Sequence, residues 1–300
     1  MTTESSSQPT RLDAPILAAV DGSASSYQAV AWAAVEAGLR HCRLHVVISM
    51  AIQTGFGPGM SLGEADLEWL RNDGERILAE ATRIARTAAP GNEPPITTEV
   101  CFELITPMLI ERSAHARMLV VGSRGMGAFQ RGLLGSVSTA TTHHAHCPVA
   151  VIHGISAIDA VSAGQPVLVG VDGTSNSVPA LELAFEEASR RKVGLTALHA
   201  WSDVSSVDVP VPGWDAAQES AQAALAESLA GYTERFPDVA VRRIVVANQP
   251  ARSLLDESAS SQLVVVGSRG RGGFTSMLLG STSNVLLHSV EVPMIVVRER

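Results

Sequence analysis

The chain has 300 residues, which is enough for about two domains. Its hydrophobic content of 46% can supply sizeable cores, but aromatic residues make up only 4%, so Val, Leu, Ile and Ala must build them. The formal net charge of −8 argues against a general nucleic-acid or membrane-surface binder, since both need a basic face, and no apolar run is as long as a membrane span.

The N-terminus and the cysteines indicate the compartment. Residues 1-12 carry no apolar stretch, so they predict a disordered tail and not a signal peptide. Cys42, Cys101 and Cys147 are an odd number without CxxC spacing, which is typical of reduced thiols. Together these features predict a cytoplasmic protein.

Apolar runs alternate with helical periodicity through the first half of the chain. Strands are predicted at Pro15–Val20, Leu44–Ser49, Thr97–Glu103, Met118–Val121 and Val149–Ile152. Helices are predicted near Ser25–Arg40, Glu64–Ala88 and Ser136–Ala145, with a short helix opened by Thr106-Pro107, the proline at its first helical position. Ser23 and Ser25 are both candidate N-caps for the first helix.

The second half follows the same order of elements. Its strands are predicted at Val167–Val171, Leu195–Ala200, Val241–Val246, Leu263–Val266 and Met294–Val297. Its helices are predicted near Ser177–Arg191, Asp215–Phe236, Pro250–Ala259 and Ser281–Ser289. Alternating strands and helices predict right-handed crossovers and a parallel sheet with helices on both faces.

An internal repeat divides the chain into two domains. PILAAVDGSASS at 15–26 matches PVLVGVDGTSNS at 166–177, an offset of 151 residues. Later in each repeat the offset is 145 residues, so the first copy carries six extra residues in its middle. The predicted domains are 13-153 and 166-300, joined by a linker of small residues at 154-165.

A glycine-rich loop occurs once in each repeat, as VVGSRGMGAFQRGLLGSVS at 120–138 and VVGSRGRGGFTSMLLGSTS at 265–283, with 13 of 19 positions identical. Each copy follows a Val-rich strand and precedes a helix. Glycine lets backbone N–H groups approach an anion, and the helix N-terminus adds its dipole, which suits phosphate binding. No Gly-Lys-Ser/Thr is present, and Gln130 stands where a dinucleotide loop has its third glycine, so neither of those motifs fits.

Asp21 and Asp172 each stand directly after the first strand of their repeat. A single aspartate there is usually a turn or capping residue. Ligands of parallel α/β sheets bind outside the carboxyl ends of the strands, where the glycine loop also lies. The combination in both repeats therefore favours a nucleotide contact for each aspartate.

These motifs, VDGS after the first strand, Gly-x2-Gly-x9-Gly-Ser after the fourth and HCPVAVI at the fifth, resemble the universal stress protein family in its ATP-binding, tandem two-domain type. The resemblance covers residues 13–300. It implies an α/β fold of two tandem flavodoxin- or Rossmann-like domains, each a five-stranded parallel sheet in the order 3-2-1-4-5 with helices on both faces. It also implies one ATP per domain, with Mg²⁺ on the phosphates.

The resemblance further implies which residues contact the nucleotide: the aspartate and strand-one backbone at the nucleoside, the strand-two tip at adenine, and the glycine loop with the helix start at ribose and phosphates. In the first domain these residues are Ala19, Asp21, Ser49, Gly122, Ser123, Arg124, Gly125, Met126, Gly127, Gly135, Ser136, Val137 and Ser138. In the second they are Gly170, Asp172, Ala200, Gly267, Ser268, Arg269, Gly270, Arg271, Gly272, Gly273, Gly280, Ser281, Thr282 and Ser283.

Two differences between the repeats favour the second site for tight binding. Ala19 carries a methyl group where the second repeat has Gly170. The strand tip at 45–49, HVVIS, lacks the histidine that the second repeat keeps at His199. The role of Arg124 and Arg269 stays open between phosphate neutralisation and solvated loop residues.

Other candidate sites are weaker. His143, His144, His146 and Cys147 have the residue types of metal ligands, but the second repeat does not keep them, and histidine is common at helix C-termini, so no metal site is predicted. No catalytic triad, zinc motif or paired-carboxylate pattern coincides with the loops, so no enzyme is predicted and ATP hydrolysis would be slow at most.

The resemblance implies a regulator of stress response and growth that acts through nucleotide-dependent conformation or through an unidentified protein partner. The final strand of each repeat is an edge candidate, and in the family this edge pairs domains, so both an intramolecular domain pair and a homodimer are expected. Two alternatives stay open: a nucleotide-free interaction scaffold, and a true ATPase or nucleotidyl transferase.

Overall fold

A computed structural model describes residues 14–51, 63–125, 134–154, 162–201, 214–247, 249–270 and 279–298. The predicted tail at 1-12 lies outside these ranges. In the first half, the strands are β1 Ile16–Ala19, β2 Leu44–Ser49, β3 Ile96–Cys101, β4 Met118–Gly122 and β5 Val149–Ile152. The helices are α1 Ala24–Leu39, α2 Glu64–Ala88, α3 Ile105–Ser113 and α4 Ser136–His144.

The second half repeats this succession. Its strands are β6 Val167–Val171, β7 Leu195–Ala200, β8 Val241–Val246, β9 Leu263–Gly267 and β10 Met294–Val297. Its helices are α5 Val178–Arg191, α6 Trp214–Arg235, α7 Pro250–Ser258 and α8 Ser281–Ser289. Two short 3-10 turns, at Ser162–Gly164 and Ser175–Ser177, precede β6 and α5.

The ten strands in the described ranges lie in one sheet, in the order β3-β2-β1-β4-β5-β10-β9-β6-β7-β8. The order within each half is 3-2-1-4-5 with parallel neighbours, which confirms the predicted topology. The halves do not form two separate sheets, because β5 and β10 pair antiparallel, with Ala150 opposite Ile295. Each of these strands is the edge of its own half, so the expected pairing of the domains within one chain is confirmed, and both strands lie at the centre of the joint sheet.

Side chains that alternate along each strand build two cores, one on each face of the sheet. Ile16 and Ala18 belong to the core that α1, α2, α5 and α6 cover. Leu17 lies between them in sequence and belongs to the opposite core, which includes residues of α3, α7 and α8. This arrangement explains the continuous Val-rich runs of the sequence, because strands that are buried on both faces need apolar residues at every position.

Two local predictions need correction. The third strand ends at Cys101, so the following helix begins at Ile105 and Pro107 is its third residue, not its first. Proline is tolerated there because the first-turn N–H groups have no acceptor within the helix. Of the two candidate caps for α1, Ser23 is the N-cap, and its hydroxyl accepts a hydrogen bond from Ser26 N at 3.2 Å.

The three cysteines are buried and carry free thiols. Burial raises the pKa of Cys147 to about 12, so this thiol stays protonated and unreactive near neutral pH. In the described ranges, no helix combines the length and the apolar character needed to cross a membrane.

Four buried charged side chains, which we call the interdomain quartet, join α1 to α5: Glu36, Arg40, Glu187 and Arg191. Arg40 donates to both glutamates. Arg191 Nη2 lies 2.5 Å from Glu36 Oε2 and 3.1 Å from Glu187 Oε2. Both glutamates are 0% exposed. A buried charge is stable only when it is paired, so each half of the chain supplies the counter-ions of the other.

The two glutamates of the quartet titrate differently. Burial by itself raises the pKa of Glu36, but the charges of Arg191 and Arg40 outweigh burial and lower the pKa to about 2. Burial and the charge of Glu36 raise the pKa of Glu187 to about 7. Two adjacent carboxylates in a dry site do not ionise equally, and here Glu187 keeps the proton longer.

This pair predicts a pH dependence of stability. The unfolded chain loses the Glu187 proton near the ordinary carboxyl pKa of 4.5, whereas the folded chain keeps it until about 7. The free energy of unfolding should therefore fall as the pH rises through this range, and Glu187→Gln should remove the fall. Urea titrations from about pH 4.5 to about pH 8 measure this fall in the free energy of unfolding.

Glu186→Gln, which alters a half-buried neighbour, serves as the control and should keep the wild-type dependence of stability on pH. Equal slopes in all three chains would contradict the assignment.

Candidate functional site

The aspartate turn of the first domain is held in a fixed geometry at the carboxyl edge of the sheet. Asp21 follows β1, and its Oδ1 accepts a hydrogen bond from Ser23 N at 2.9 Å. Gly22 has a φ of +88°, in the left-handed region that other residues rarely adopt. The turn therefore fixes the position of Oδ1. Because the carboxylate is planar and rigid, the direction of Oδ2 is defined as well.

In the second domain a threonine holds the aspartate through both its backbone N–H and its hydroxyl. Asp172 Oδ1 accepts from Thr174 N at 2.8 Å, and the Thr174 hydroxyl lies 2.8 Å from Oδ1 and 3.0 Å from Oδ2. Gly173 has a φ of +77°. The Thr174 hydroxyl also accepts from Asn176 N at 3.2 Å, as the corresponding Ser23 hydroxyl caps α1 in the first domain. Both aspartate turns are thus tied to the start of the helical segment that follows.

Each aspartate lies against the glycine loop of its own domain. A Cβ placed on Gly125 would be 2.5 Å from Asp21 Oδ2. A Cβ placed on Gly270 would be 3.5 Å from Asp172 Oδ2. The structure therefore brings the two predicted motifs together in both domains, with the closer approach in the first.

Each glycine loop begins where its strand meets the first helix of the domain. A Cβ on Gly122 would lie 2.8 Å from the backbone C and O of Ser25, and a Cβ on Gly267 would lie 3.0 Å from Asn176 O. The Ser25 hydroxyl also lies 3.4 Å from Arg124 N. Ser25 and Asn176 were not predicted as site residues, although both stand four residues after the aspartate of their repeat.

The N-termini of α4 and α8 complete the edge. Their N-caps are Gly135 and Gly280, which offer no side-chain cap. The Ser138 hydroxyl donates to Gly122 O at 2.6 Å, and the Ser283 hydroxyl donates to Gly267 O at 2.6 Å. Each helix start is thereby tied to the end of its strand. Its first-turn N–H groups and its positive dipole end favour an anion at the edge.

Ser123 directly follows Gly122 at the start of the first glycine loop and is buried. Its N–H donates to Ile152 O at 2.9 Å, and its carbonyl accepts from Gly135 N at 2.8 Å. Ser268 makes the corresponding bonds, to Val297 O and from Gly280 N, both at 2.7 Å. The backbone of these two serines positions the loop, so their predicted contact with a ligand stays a prediction.

The tips of the second strands differ as the sequence indicates. His199 is buried, and its Nδ1 lies 2.7 Å from Val171 O, so the imidazole supports the strand end that precedes Asp172. The Ser49 hydroxyl donates to Glu103 O at 2.5 Å. Ala200 is half-buried at the end of β7.

The difference between Ala19 and Gly170 concerns packing. A Cβ on Gly170 would lie 3.1 Å from Leu254 Cδ1 of α7 and 3.5 Å from Val266 Cγ1. This direction leads into the core, where Ala19 packs in the first domain. The methyl group of Ala19 thus contributes to packing, and its expected effect on a ligand stays a prediction, as does a tighter second site.

The histidines at the end of α4 belong to the contact between the domains. Burial lowers the pKa of His143, and the charges of His144 and Arg298 add to the effect. Arg298, from the second domain, donates to His143 O. In the part of the chain that the structure describes, no three His, Cys, Asp or Glu side chains are grouped to hold a metal ion.

The remaining predicted residues are partly outside the described ranges. Ser136 and Ser281 are exposed at their helix starts, and Val137 and Thr282 are half-buried beside them. Met126, Gly127, Arg271, Gly272 and Gly273 lie outside the described residues.

Two parallel α/β domains in tandem, each with an oriented aspartate, a glycine loop and a helix N-terminus at one sheet edge, define a duplicated Rossmann-like protein. The family model described as "Universal stress protein family" matches residues 14–153 and 164–298. The chain belongs to the universal stress protein family and carries two of its domains.

Similar proteins match this chain over nearly the full length of both sequences. Universal stress protein Rv2005c of Mycobacterium tuberculosis is 46% identical over 285 residues, which cover 95% of this chain and 97% of the relative. Universal stress protein Rv2623 of the same species is 42% identical, with 95% and 96% covered. The crystal structure of a universal stress protein from Archaeoglobus fulgidus DSM 4304 has a TM-score of 0.70 at 21% identity, covering 95% of this chain and 98% of that one, and shows the shared fold.

Proposed function

We propose that each domain binds one ATP and that the chain is a regulator of stress response and growth, acting through nucleotide-dependent conformation or partner binding. One observation carries the proposal. In both domains a fixed carboxylate lies against a glycine loop: a Cβ placed on Gly125 would be 2.5 Å from Asp21 Oδ2, which leaves no room for a side chain, and a Cβ placed on Gly270 would be 3.5 Å from Asp172 Oδ2, in van der Waals contact. Duplication of this arrangement supports a binding role over an ordinary surface turn.

The parts of the edge match the parts of a nucleotide. Asp21 and Asp172 would accept hydrogen bonds from ribose hydroxyls. The loops after Gly122 and Gly267 and the N-termini of α4 and α8 would bind the phosphates, since both present N–H groups to an anion. Mg²⁺ would neutralise part of the phosphate charge, and carboxylate oxygens are among the ligands that this ion prefers.

We propose ATP as a ligand and not as a substrate. The side chains that the structure brings to the edge are held by the fold: Asp172 by Thr174, Ser138 by Gly122 O and Ser283 by Gly267 O. Groups in these roles position a ligand. Steady-state phosphate release of several turnovers per second would instead support the ATPase alternative.

The nucleotide content of the purified protein tests the proposal. Denaturing extraction followed by chromatography and mass spectrometry should release two adenine nucleotides per chain, or titration with Mg-ATP should fill two sites. Asp21→Ala and Asp172→Ala should each weaken one site by about tenfold or more, because each removes hydrogen bonds to a charged group. Asp215→Ala, which changes an exposed residue of α6, should leave both sites unchanged. No nucleotide by either route would support the scaffold alternative.

We also propose a cytoplasmic location, an unidentified protein partner and a homodimer. The strands expected to pair two chains, β5 and β10, already pair with each other inside one chain. A homodimer would therefore use other surfaces than this edge.

A further inference from the structure

Helix α8 extends from the second site to the first domain. Its N-terminal turn lies at the second glycine loop, where Ser283 bonds to Gly267 O. Near its other end, Leu287 O lies 2.8 Å from His153 Nε2, so the imidazole donates to this carbonyl from the first domain. A helix of nine residues is about 13 Å long. One rigid element thus joins the second phosphate edge to His153.

His153 stands at the root of the first glycine loop. It directly follows Ile152, whose carbonyl accepts the hydrogen bond from Ser123 N at 2.9 Å. Ser123 in turn accepts from Gly135 N, the cap of α4. A displacement of the first loop therefore reaches His153 through one covalent and one hydrogen-bonded step.

The reciprocal connection has the same form. Arg298 follows Val297, whose carbonyl accepts from Ser268 N at 2.7 Å at the root of the second loop. Arg298 donates to His143 O near the end of α4, and α4 begins at the first site. His153 and Arg298 occupy the same repeat position, at the offset of 145 residues that the glycine loops share.

The connection is electrostatic as well as mechanical. Burial lowers the pKa of His153, the carbonyls of Leu287 and Val151 oppose this, and the charges of Arg124 and His288 lower it further. Burial likewise lowers the pKa of Arg298, with the charge of Arg269 adding to it. Each loop arginine therefore acts on the residue that holds the other domain's helix, and a phosphate bound near that arginine would change this field.

We propose that the two nucleotide sites are coupled, with His153 and Arg298 as the positioning residues that transmit binding at one site to the other. The inference rests on the proposed function. Phosphate bound at the first loop holds the backbone of Ser123 and Ile152. It thereby also holds His153, whose imidazole donates to α8. The second site then binds with less ordering left to lose, which gives positive cooperativity.

Calorimetric titration of the full chain with Mg-ATP tests the coupling. The affinity of the second site should be at least about fivefold lower in Asp21→Ala than in the wild type with its first site filled. In a background of His153→Ala with Arg298→Met, the same Asp21→Ala change should leave the second site unaffected. Replacing His153 with Gln instead of Ala keeps a donor for Leu287 O, so the coupling should return. His115→Ala changes an exposed histidine and should not alter the coupling.

Hydrogen exchange provides a readout apart from affinity. In Asp172→Ala, at Mg-ATP concentrations that fill the first site and leave the weakened second site mostly empty, the nucleotide should slow amide exchange at residues 285–290, at the end of α8. Adding His153→Ala should abolish the slowing. Two sites that fill with independent affinities and leave α8 exchange unchanged would overturn the coupling while the proposed function stands. A wild-type chain that binds no nucleotide would overturn both.

Discussion

Replacing Arg40 with methionine should lower the free energy of unfolding by about 3–5 kcal/mol, the usual cost of removing one partner from a buried ion pair. The Arg40 side chain is 4% exposed and contacts Glu36 and Glu187, which are both fully buried. Without it, Arg191 is the remaining quartet cation beside two carboxylates. The loss should be smaller near about pH 5, because the glutamates can then take up protons.

Chemical denaturation measures this effect, and the chain supplies a matched control. Arg190→Met removes an arginine from the same helical turn as Arg191, but its ion pair with Glu186 at 3.0 Å is half-exposed. This control should cost about 1 kcal/mol or less. Replacing all four quartet residues with apolar residues of similar volume should recover most of the stability, since the desolvation cost of the charges is removed together with their attraction. Equal losses for Arg40→Met and Arg190→Met would show that the quartet does not hold the domains together.

Gly125→Ala should weaken nucleotide binding in the first domain by about tenfold or more, because the displaced carboxylate loses charge-assisted hydrogen bonds. The new methyl group would lie 2.5 Å from Asp21 Oδ2, so the carboxylate must rotate away from the position that Ser23 N fixes. Only the end of one side chain moves and one hydrogen bond, from Ser23 N, is given up, so the free energy of unfolding should fall by no more than about 1.5 kcal/mol.

Gly270→Ala is the matched substitution in the second domain. Its methyl group would lie 3.5 Å from Asp172 Oδ2, which is ordinary van der Waals contact, and Thr174 holds the carboxylate in place. Binding at the second site should therefore change little. Titration of both variants with Mg-ATP, beside their thermal unfolding, measures the difference. Equal losses at both sites would contradict the geometry, and binding unchanged in both would remove Asp21 from the nucleotide site.

Much of the fold could be predicted from the sequence because its determinants are local. Val-rich runs and helical periodicity placed the strands and α-helices of the described residues to within a few residues. The repeat fixed the division into two halves, and strands alternating with helices implied a parallel sheet. The meeting of Asp21 with Gly125, and of Asp172 with Gly270, also followed, since every parallel strand ends at the same edge.

The sequence by itself thus determined two α/β domains with a similar edge in each, and its resemblance implied that the final strands pair the domains, whereas only the tertiary structure decided the register and the side-chain contacts of the junction. The antiparallel pairing of β5 with β10, the interdomain quartet and the bonds of His153 and Arg298 connect residues well over 100 positions apart. No local pattern encodes such contacts. One signal was present: Glu36 and Arg40 recur as Glu187 and Arg191 within otherwise apolar helix faces. A repeat can show that such charges are shared by both domains, but their pairing across the junction depends on the packing of α1 against α5, which only the folded chain defines.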